Sequence, residues 1–371
     1  MTVLQVTSHL NIGGITNYVL SLSERLIRRG HRVAIASDHG DQEPRAAASG
    51  AALWTAPLHT KQEFSPQVFG AARELARRLR SEQVDLIHAH TRVGQVVAAS
   101  LSRRARIPYV TTWHGFFRPN PGRWLWPCYG VRTIAISEPV RRHLLTQFRV
   151  PAERVRLVWN GIDTERFAQP PAADVVARFR SEQGIAPGAP VIGGVGRLAS
   201  GRVKGFDLLL EAAVRVKEQF PNLRVIIAGE GPRRQFLEEK IDQFGLRSCA
   251  RLIGAVDDVR IPLAAMDVFV FPARWPEGFG LTLVEAMAAA RPVVATQVGA
   301  VPSIVEDRRS GLLVPVERPD ALAAAIVRLL GDRPGAERLG QQARQRVREA
   351  FSLDSMVDGI EAIYREAVKS A

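Results

Sequence analysis

The 371-residue chain has little cysteine: only Cys128 and Cys249, far apart. That leaves no disulfide framework and no cysteine metal site, and it fits a reducing compartment. No apolar run approaches the ~18 residues that a membrane-spanning helix needs. The N-terminus opens as a strand, without a basic leader or cleavage pattern, so a secretory signal is not expected. Lysine is scarce as well, at five of 50 basic residues. The net charge is +13 and is uneven. Residues 1–166 hold 23 Lys and Arg against 12 Asp and Glu, a surplus of +11. Such a half can attract nucleic acid, an anionic membrane or an acidic acceptor. An arginine-rich composition accounts for the total but not for the asymmetry. The 46% apolar content is ordinary for a soluble globular protein.

At roughly 150 residues per domain the length suggests two domains. The first half alternates apolar strands with helical patterns: strands near 3–7, 32–37, 86–89, 109–113, 133–136 and 155–158, with a helix over 16–29 closed by Gly30. The rhythm restarts at 191–194 and continues through strands near 224–228, 250–253, 268–271 and 293–296. Strands alternating with helices imply parallel sheets covered on both faces, hence an α/β chain of two doubly wound halves. The expected organisation is a first domain over 1–166, a linker over 167–188 rich in Pro, Ala and charge, and a second domain over 189–352. Ligands of such folds sit at strand C-termini, in a cleft between domains.

The richest segment is Glu277–Gly278–Phe279–Gly280–Leu281–Thr282–Leu283–Val284–Glu285. Gly278 and Gly280 let the backbone approach a ligand. A helix over 281–290 points free N–H groups at that turn, which suits a diphosphate. Glu277 stays in the loop and Glu285 lies about one turn into the helix. Two acceptor-only carboxylates there suit the hydroxyls of a sugar and a ribose.

Other candidates also end strands. Gly13 and Gly14, in the loop Asn11–Ile12–Gly13–Gly14, form either a phosphate or sugar approach or a tight turn. Gly194 and Gly196 do not complete a dinucleotide fingerprint, because Ala199 stands where the third glycine belongs and the polar loop 200–202 follows. Arg197 and Lys204, seven positions apart, can converge on one diphosphate. Glu230, between Gly229 and Gly231, reads as structural. His114 ends a strand beside Gly115, where an open sheet places ligands. His88 alternates toward the core and His90 toward a ligand; no third partner for a metal is apparent. The segment 116–127 packs four aromatics and two arginines among prolines, which calls for burial or a membrane partner. No nucleic-acid motif accompanies it, and no nucleic-acid partner is expected.

The 277–285 motif resembles the Glu-x7-Glu element of retaining glycosyltransferases of the GT-B fold, in particular family 4. The resemblance covers nearly the whole chain and is strongest over 191–316. It implies two Rossmann-like domains facing across a cleft, with the final helix, 353–371, packing back on the first. It also implies hexosyl transfer from a nucleotide-diphosphate sugar to a glycan or lipid-linked acceptor, with retention, in cell-envelope polysaccharide or lipopolysaccharide synthesis. The donor is a substrate, UDP-sugar favoured over GDP-sugar; no cofactor and no metal are implied. By resemblance, Arg197 and Lys204 stabilise the leaving diphosphate and Glu277 holds donor-sugar hydroxyls. Glu285 holds the ribose, and His114 lies against the donor sugar. Gly13, Gly14, Gly196, Glu230, Phe279, Gly280 and Leu281 belong to the same donor site. Val298–Gly299–Ala300 departs from the family pattern, where a second glycine is frequent. A cytoplasmic protein, peripheral on the inner face of the cytoplasmic membrane, is expected. The alternatives are another GT-B activity such as a nucleotide-sugar epimerase or a phosphorylase, a non-catalytic nucleotide-sugar-binding subunit and a nicotinamide-dependent oxidoreductase.

Overall fold

The computed structural model describes residues 1–60, 62–200 and 204–370. Gly201 and Arg202 of the expected polar loop therefore lie outside the described residues. The chain forms two compact units, Met1–Gly161 with Leu353–Ala371, and Ile162–Ser352.

The first unit is built on a parallel seven-stranded sheet. Its strands are β1 (Thr2–Val6), β2 (Arg32–Ser37), β3 (Ala52–Thr55), β4 (Leu86–Ala89), β5 (Tyr109–Trp113), β6 (Arg132–Ala135) and β7 (Val155–Leu157). Their order is β3-β2-β1-β4-β5-β6-β7. The central strands are apolar on both faces because helices cover both, as parallel sheets require. The order reverses between β1 and β4, and at that switch point strand C-termini diverge and leave room for a ligand. The helix Leu353–Lys369 belongs to this unit. Met356, Val357, Ile360 and Tyr364 pack with Val3, Leu20 and Ile35 in one core cluster. Each such buried side chain stabilises by roughly 1.5–3 kcal/mol. Arg29 fixes the helix from outside, reaching Asp358 at 2.6 Å and Glu361 at 3.2 Å.

The second unit carries a parallel six-stranded sheet, β8 (Val191–Val195), β9 (Arg224–Ala228), β10 (Ala250–Gly254), β11 (Val268–Phe271), β12 (Val293–Thr296) and β13 (Leu312–Val314). The order is β10-β9-β8-β11-β12-β13, with the switch point between β8 and β11.

Two boundaries differ from the sequence reading. The units divide after Gly161 rather than after 166, and Asp163 already caps the helix Thr164–Ala168 by accepting from the Arg166 amide at 3.1 Å. The expected linker 167–188 is largely folded structure. Phe167 is buried, and Ala173–Glu182 is a helix pinned by Arg180, which donates to the carbonyls of Ala265 (3.0 Å) and Ala189 (2.8 Å). Its polar composition reflects a helix with no fully buried residue, which periodicity cannot separate from a linker.

Candidate active site

In the second unit, the loops after β8, β9 and β11 meet at the switch point. Gly196 donates its amide to the Ala228 carbonyl at 2.9 Å, and Leu198 to that of Glu230 at 2.8 Å. A Cβ on Gly229 would stand 2.0 Å from the Gly196 carbonyl oxygen, so only glycine permits this backbone contact. Arg197 is exposed and makes no ion pair among the described residues. The stem of Lys204 crosses Gly196, where a Cβ would lie 3.3 Å from Lys204 Cε.

Lys204 and Glu277, assigned separate tasks in the sequence, form one unit. Lys204 Nζ donates to Glu277 Oε2 at 3.0 Å and lies 2.8 Å from Oε1. Oε1 is buried and receives no aligned hydrogen bond from any described residue. The Glu277 backbone is held from behind: Ala300 donates to its carbonyl at 3.3 Å, and a Cβ on Gly299 would come within 2.7 Å of it. One glycine thus supplies the close approach at 298–300, and the family's second glycine is not needed for it.

Two helices start here without a side-chain cap. Phe206–Gln219 begins after Gly205 (φ 62°) and Leu281–Ala288 after Gly280 (φ 95°), both left-handed. Glycine caps leave the first-turn N–H groups open to an anion. The amides of Leu281 and Thr282 find no acceptor among the described residues, and Thr282 Oγ1 is buried without a partner. Glu285 is half-buried on the second of these helices. Burial pushes its carboxyl up to about 7, against the pull of Arg166 and Lys204. The Phe279 ring is buried against Phe351, with centroids 5.6 Å apart, so its side chain serves the fold. Glu230 pairs with Arg234 at 2.8 Å at the surface. Pro232 precedes the helix Arg234–Gln243.

In the first unit, Gly13 and Gly14 follow β1 and open the helix Gly14–Arg28, again without a side-chain cap. Ile12 beside them is exposed. His114 follows β5 and is half-buried, its ring edge-on to Tyr18 at 4.7 Å. Desolvation lowers its pKa to about 3, so it is neutral. His90, expected to reach a ligand, is instead buried beside it, with Nδ1 3.4 Å from His114 Nε2. The segment 116–127 splits. Trp126 packs on Phe64 and Phe69 under Arg103, while Trp124 and Leu125 of the short helix Pro121–Leu125 stay exposed.

Residues 175–346 match the family Glycosyl transferases group 1, and residues 12–166 match Glycosyltransferase Family 4. A phosphatidyl-myo-inositol mannosyltransferase of Mycobacterium tuberculosis is 30% identical over 335 residues, 85% of this chain and 82% of that protein. The chain is a family 4 glycosyltransferase. Solved structures agree on the fold. A glycosyltransferase of Rickettsia africae superposes with a TM-score of 0.89 at 20% identity, covering 100% of this chain and 99% of the other. HepE of Anabaena, solved with UDP and glucose, gives 0.85 at 21% identity, covering 99% and 100%. These are GT-B enzymes, and this glycosyltransferase shares their pair of Rossmann-like units. This family membership does not favour the oxidoreductase alternative.

The sequence reading missed two arrangements, one in each unit. One is the direct Lys204–Glu277 pairing, which joins residues 73 positions apart and has no local signal. The other is the buried company of His114, for which the His-x-His alternation at 88–90 was the available clue.

Proposed function

We propose that this glycosyltransferase moves a hexosyl unit from a nucleoside-diphosphate sugar, with retention, to a glycan or lipid-linked acceptor of the cell envelope. The Lys204–Glu277 pair carries the reading. It sits at the switch point beside two uncapped helix starts and offers a cation, a buried carboxylate and free amides together. A diphosphate takes the amides, Arg197 and Lys204; a sugar hydroxyl donates to Glu277 Oε1. Stabilising the departing charge electrostatically is the dominant catalytic term in such a site. Glu277, bound by an ammonium group, is a poor nucleophile and positions the sugar. The leaving phosphate then helps take the acceptor's proton on the same face. Glu285 holds the ribose, and His114 contacts the donor sugar. The Anabaena protein's UDP supports a uridine donor, and the mycobacterial relative's phosphatidyl-inositol supports a lipid acceptor.

Peripheral attachment to the inner face of the cytoplasmic membrane belongs to the same proposal. No helix among the described residues is long and apolar enough to cross a membrane. A cavity of about 640 Å³ between the helices Pro66–Arg78 and Arg92–Ala105 is lined by Arg73, Arg77, Arg80 and Arg104. None of the four has an acidic partner among the described residues, which fits a surface carrying phosphates. Arg103, next to Arg104, stacks on Trp126 and connects this groove to the exposed Trp124 and Leu125.

Thermal shift with UDP, GDP, ADP and their sugars tests the donor. A ligand at 100 times its Kd stabilises by about 2.7 kcal/mol. Stabilisation by none of them would remove the donor assignment. NMR of the transferred anomer then decides retention.

A further inference from the structure

A connected set of polar side chains runs through the core of the first unit to His114. Gln5 on β1, His88 on β4, His90 just after β4, Thr112 on β5 and Tyr364 on the helix Leu353–Lys369 are all buried. We propose that the chain Tyr364–Gln5–His90 fixes the tautomer of His114, with Nε2 protonated and Nδ1 left bare, so that His114 accepts a hydrogen bond from a substrate hydroxyl and cannot hold a phosphate oxygen. This rests on the reading of His114 as a donor-site residue.

The hydrogens can be counted. A neutral imidazole carries one N–H. Burial and the neighbouring imidazoles push His88 and His90 well below the ordinary range, so neither carries two. Gln5 Oε1 lies 2.6 Å from His90 Nε2 and can only accept, so His90 donates from Nε2. His90 Nδ1 is then a bare acceptor, and the group 3.4 Å away, His114 Nε2, donates to it. The remaining ring nitrogen of His114, Nδ1, holds a lone pair and has no partner among the described residues.

Tyr364 sets the orientation of the Gln5 amide. Gln5 Nε2 donates to Tyr364 Oη at 3.3 Å, and Tyr364 O–H donates to His88 Nδ1 at 2.6 Å. His88 Nε2 then donates to Thr112 Oγ1 at 2.7 Å. Turning the Gln5 amide over would reverse every bond in the chain and place the proton of His114 on Nδ1. It would also set an NH2 group 2.6 Å from a ring nitrogen, a distance that suits oxygen and is short for nitrogen. Gln5, His90 and Tyr364 are thus positioning residues: none needs to touch substrate, yet together they decide what His114 offers.

Long-range ¹H–¹⁵N correlation on the full chain labelled with ¹⁵N-histidine reads the tautomer, with His114 assigned by the signal lost in His114→Ala. The expected result at pH 7 is a protonated Nε2 and a bare Nδ1. A proton on Nδ1, or on both nitrogens, overturns the proposal. Tyr364→Phe releases the Gln5 amide; His114 should then show mixed tautomers, and kcat should fall roughly tenfold with donor Kd unchanged. Gln5→Glu, which can only accept from His90, should keep the wild-type tautomer. A single unchanged tautomer in Tyr364→Phe breaks the chain of causation at its first link. The predicted tautomer combined with unaltered transfer by His114→Ala would remove His114 from the reaction and leave the hydrogen-bond assignment standing.

Discussion

Replacing Glu285 with glutamine removes an ionisable group while keeping its shape, and the structure sets how stability should answer to pH. In the folded chain the Glu285 carboxyl ionises near pH 7, against an ordinary value of 4.5. The unfolded chain therefore gives up its proton first as pH rises. Below pH 4.5 both states are protonated and burial of the neutral acid costs nothing extra. Between 4.5 and about 7 the folded state loses stability, and above that the loss is constant. Each pH unit in this window corresponds to about 1.4 kcal/mol, giving a ceiling near 3 kcal/mol. Glu285 is half-buried, and solvent screening brings the working figure to about 2 kcal/mol. Glu285→Gln should thus match the wild type at pH 4.5 and exceed it by about 2 kcal/mol at pH 8, or roughly 4–8 °C in Tm. Melting both proteins without nucleotide across this range measures it. The same variant should raise the donor KM more than it lowers kcat, because a ribose contact is equal in ground and transition states. An equal Tm difference at both pH values would show that the carboxyl ionises normally and that its burial carries no cost.

Lys204→Ala strands the Glu277 carboxylate without its cation and removes a diphosphate ligand; turnover should fall by on the order of 10²-fold or more, measured as nucleoside diphosphate released, and unchanged kinetics would take Lys204 out of the site. Transfer should persist in EDTA, since two cations and two helix starts are proposed to carry the leaving charge; loss of activity restored by Mg²⁺ or Mn²⁺ would contradict that division of labour. Trp124→Ser with Leu125→Ser should weaken binding to anionic vesicles and leave nucleotide binding intact. Binding of the wild type should also decline with salt, because exposed arginines are screened over about 8 Å at physiological ionic strength. Indifference of the wild type to such vesicles at low salt would end the membrane reading.

Much of this architecture was legible because it is local. Buried parallel strands read as short apolar runs, and β1, β2, β4 and β5 stand within a residue or so of where those runs place them. The edge strands β3 and β13 did not announce themselves: four and three residues at a sheet margin carry too little pattern. The glycines around Glu277 were readable as a tight turn, because left-handed caps and close backbone approaches admit few other residues. What escaped were contacts across the sheet. Lys204 meets Glu277, and Gln5 joins His90 to Tyr364, through tertiary packing that no spacing encodes. The aromatic segment was ambiguous for a related reason. Trp126 and Trp124 are two residues apart, yet one packs on the core and the other faces solvent, and only the arrangement of Phe64, Phe69 and Arg103 separates them.

The return of the helix Leu353–Lys369 to the first unit has a consequence for how the molecule is made. During synthesis, residues 1–161 emerge early with the seat for Tyr364 open and Val3, Leu20 and Ile35 uncovered on that side. The second unit, continuous in sequence, can close completely while the first still waits for its last segment. Shortening the chain by its final two turns would thus damage the half that was made first. It would leave an apolar groove of the kind that recruits chaperones or other nascent chains, and it would silence the hydrogen-bond chain to His114 from a point more than 200 residues downstream of that histidine.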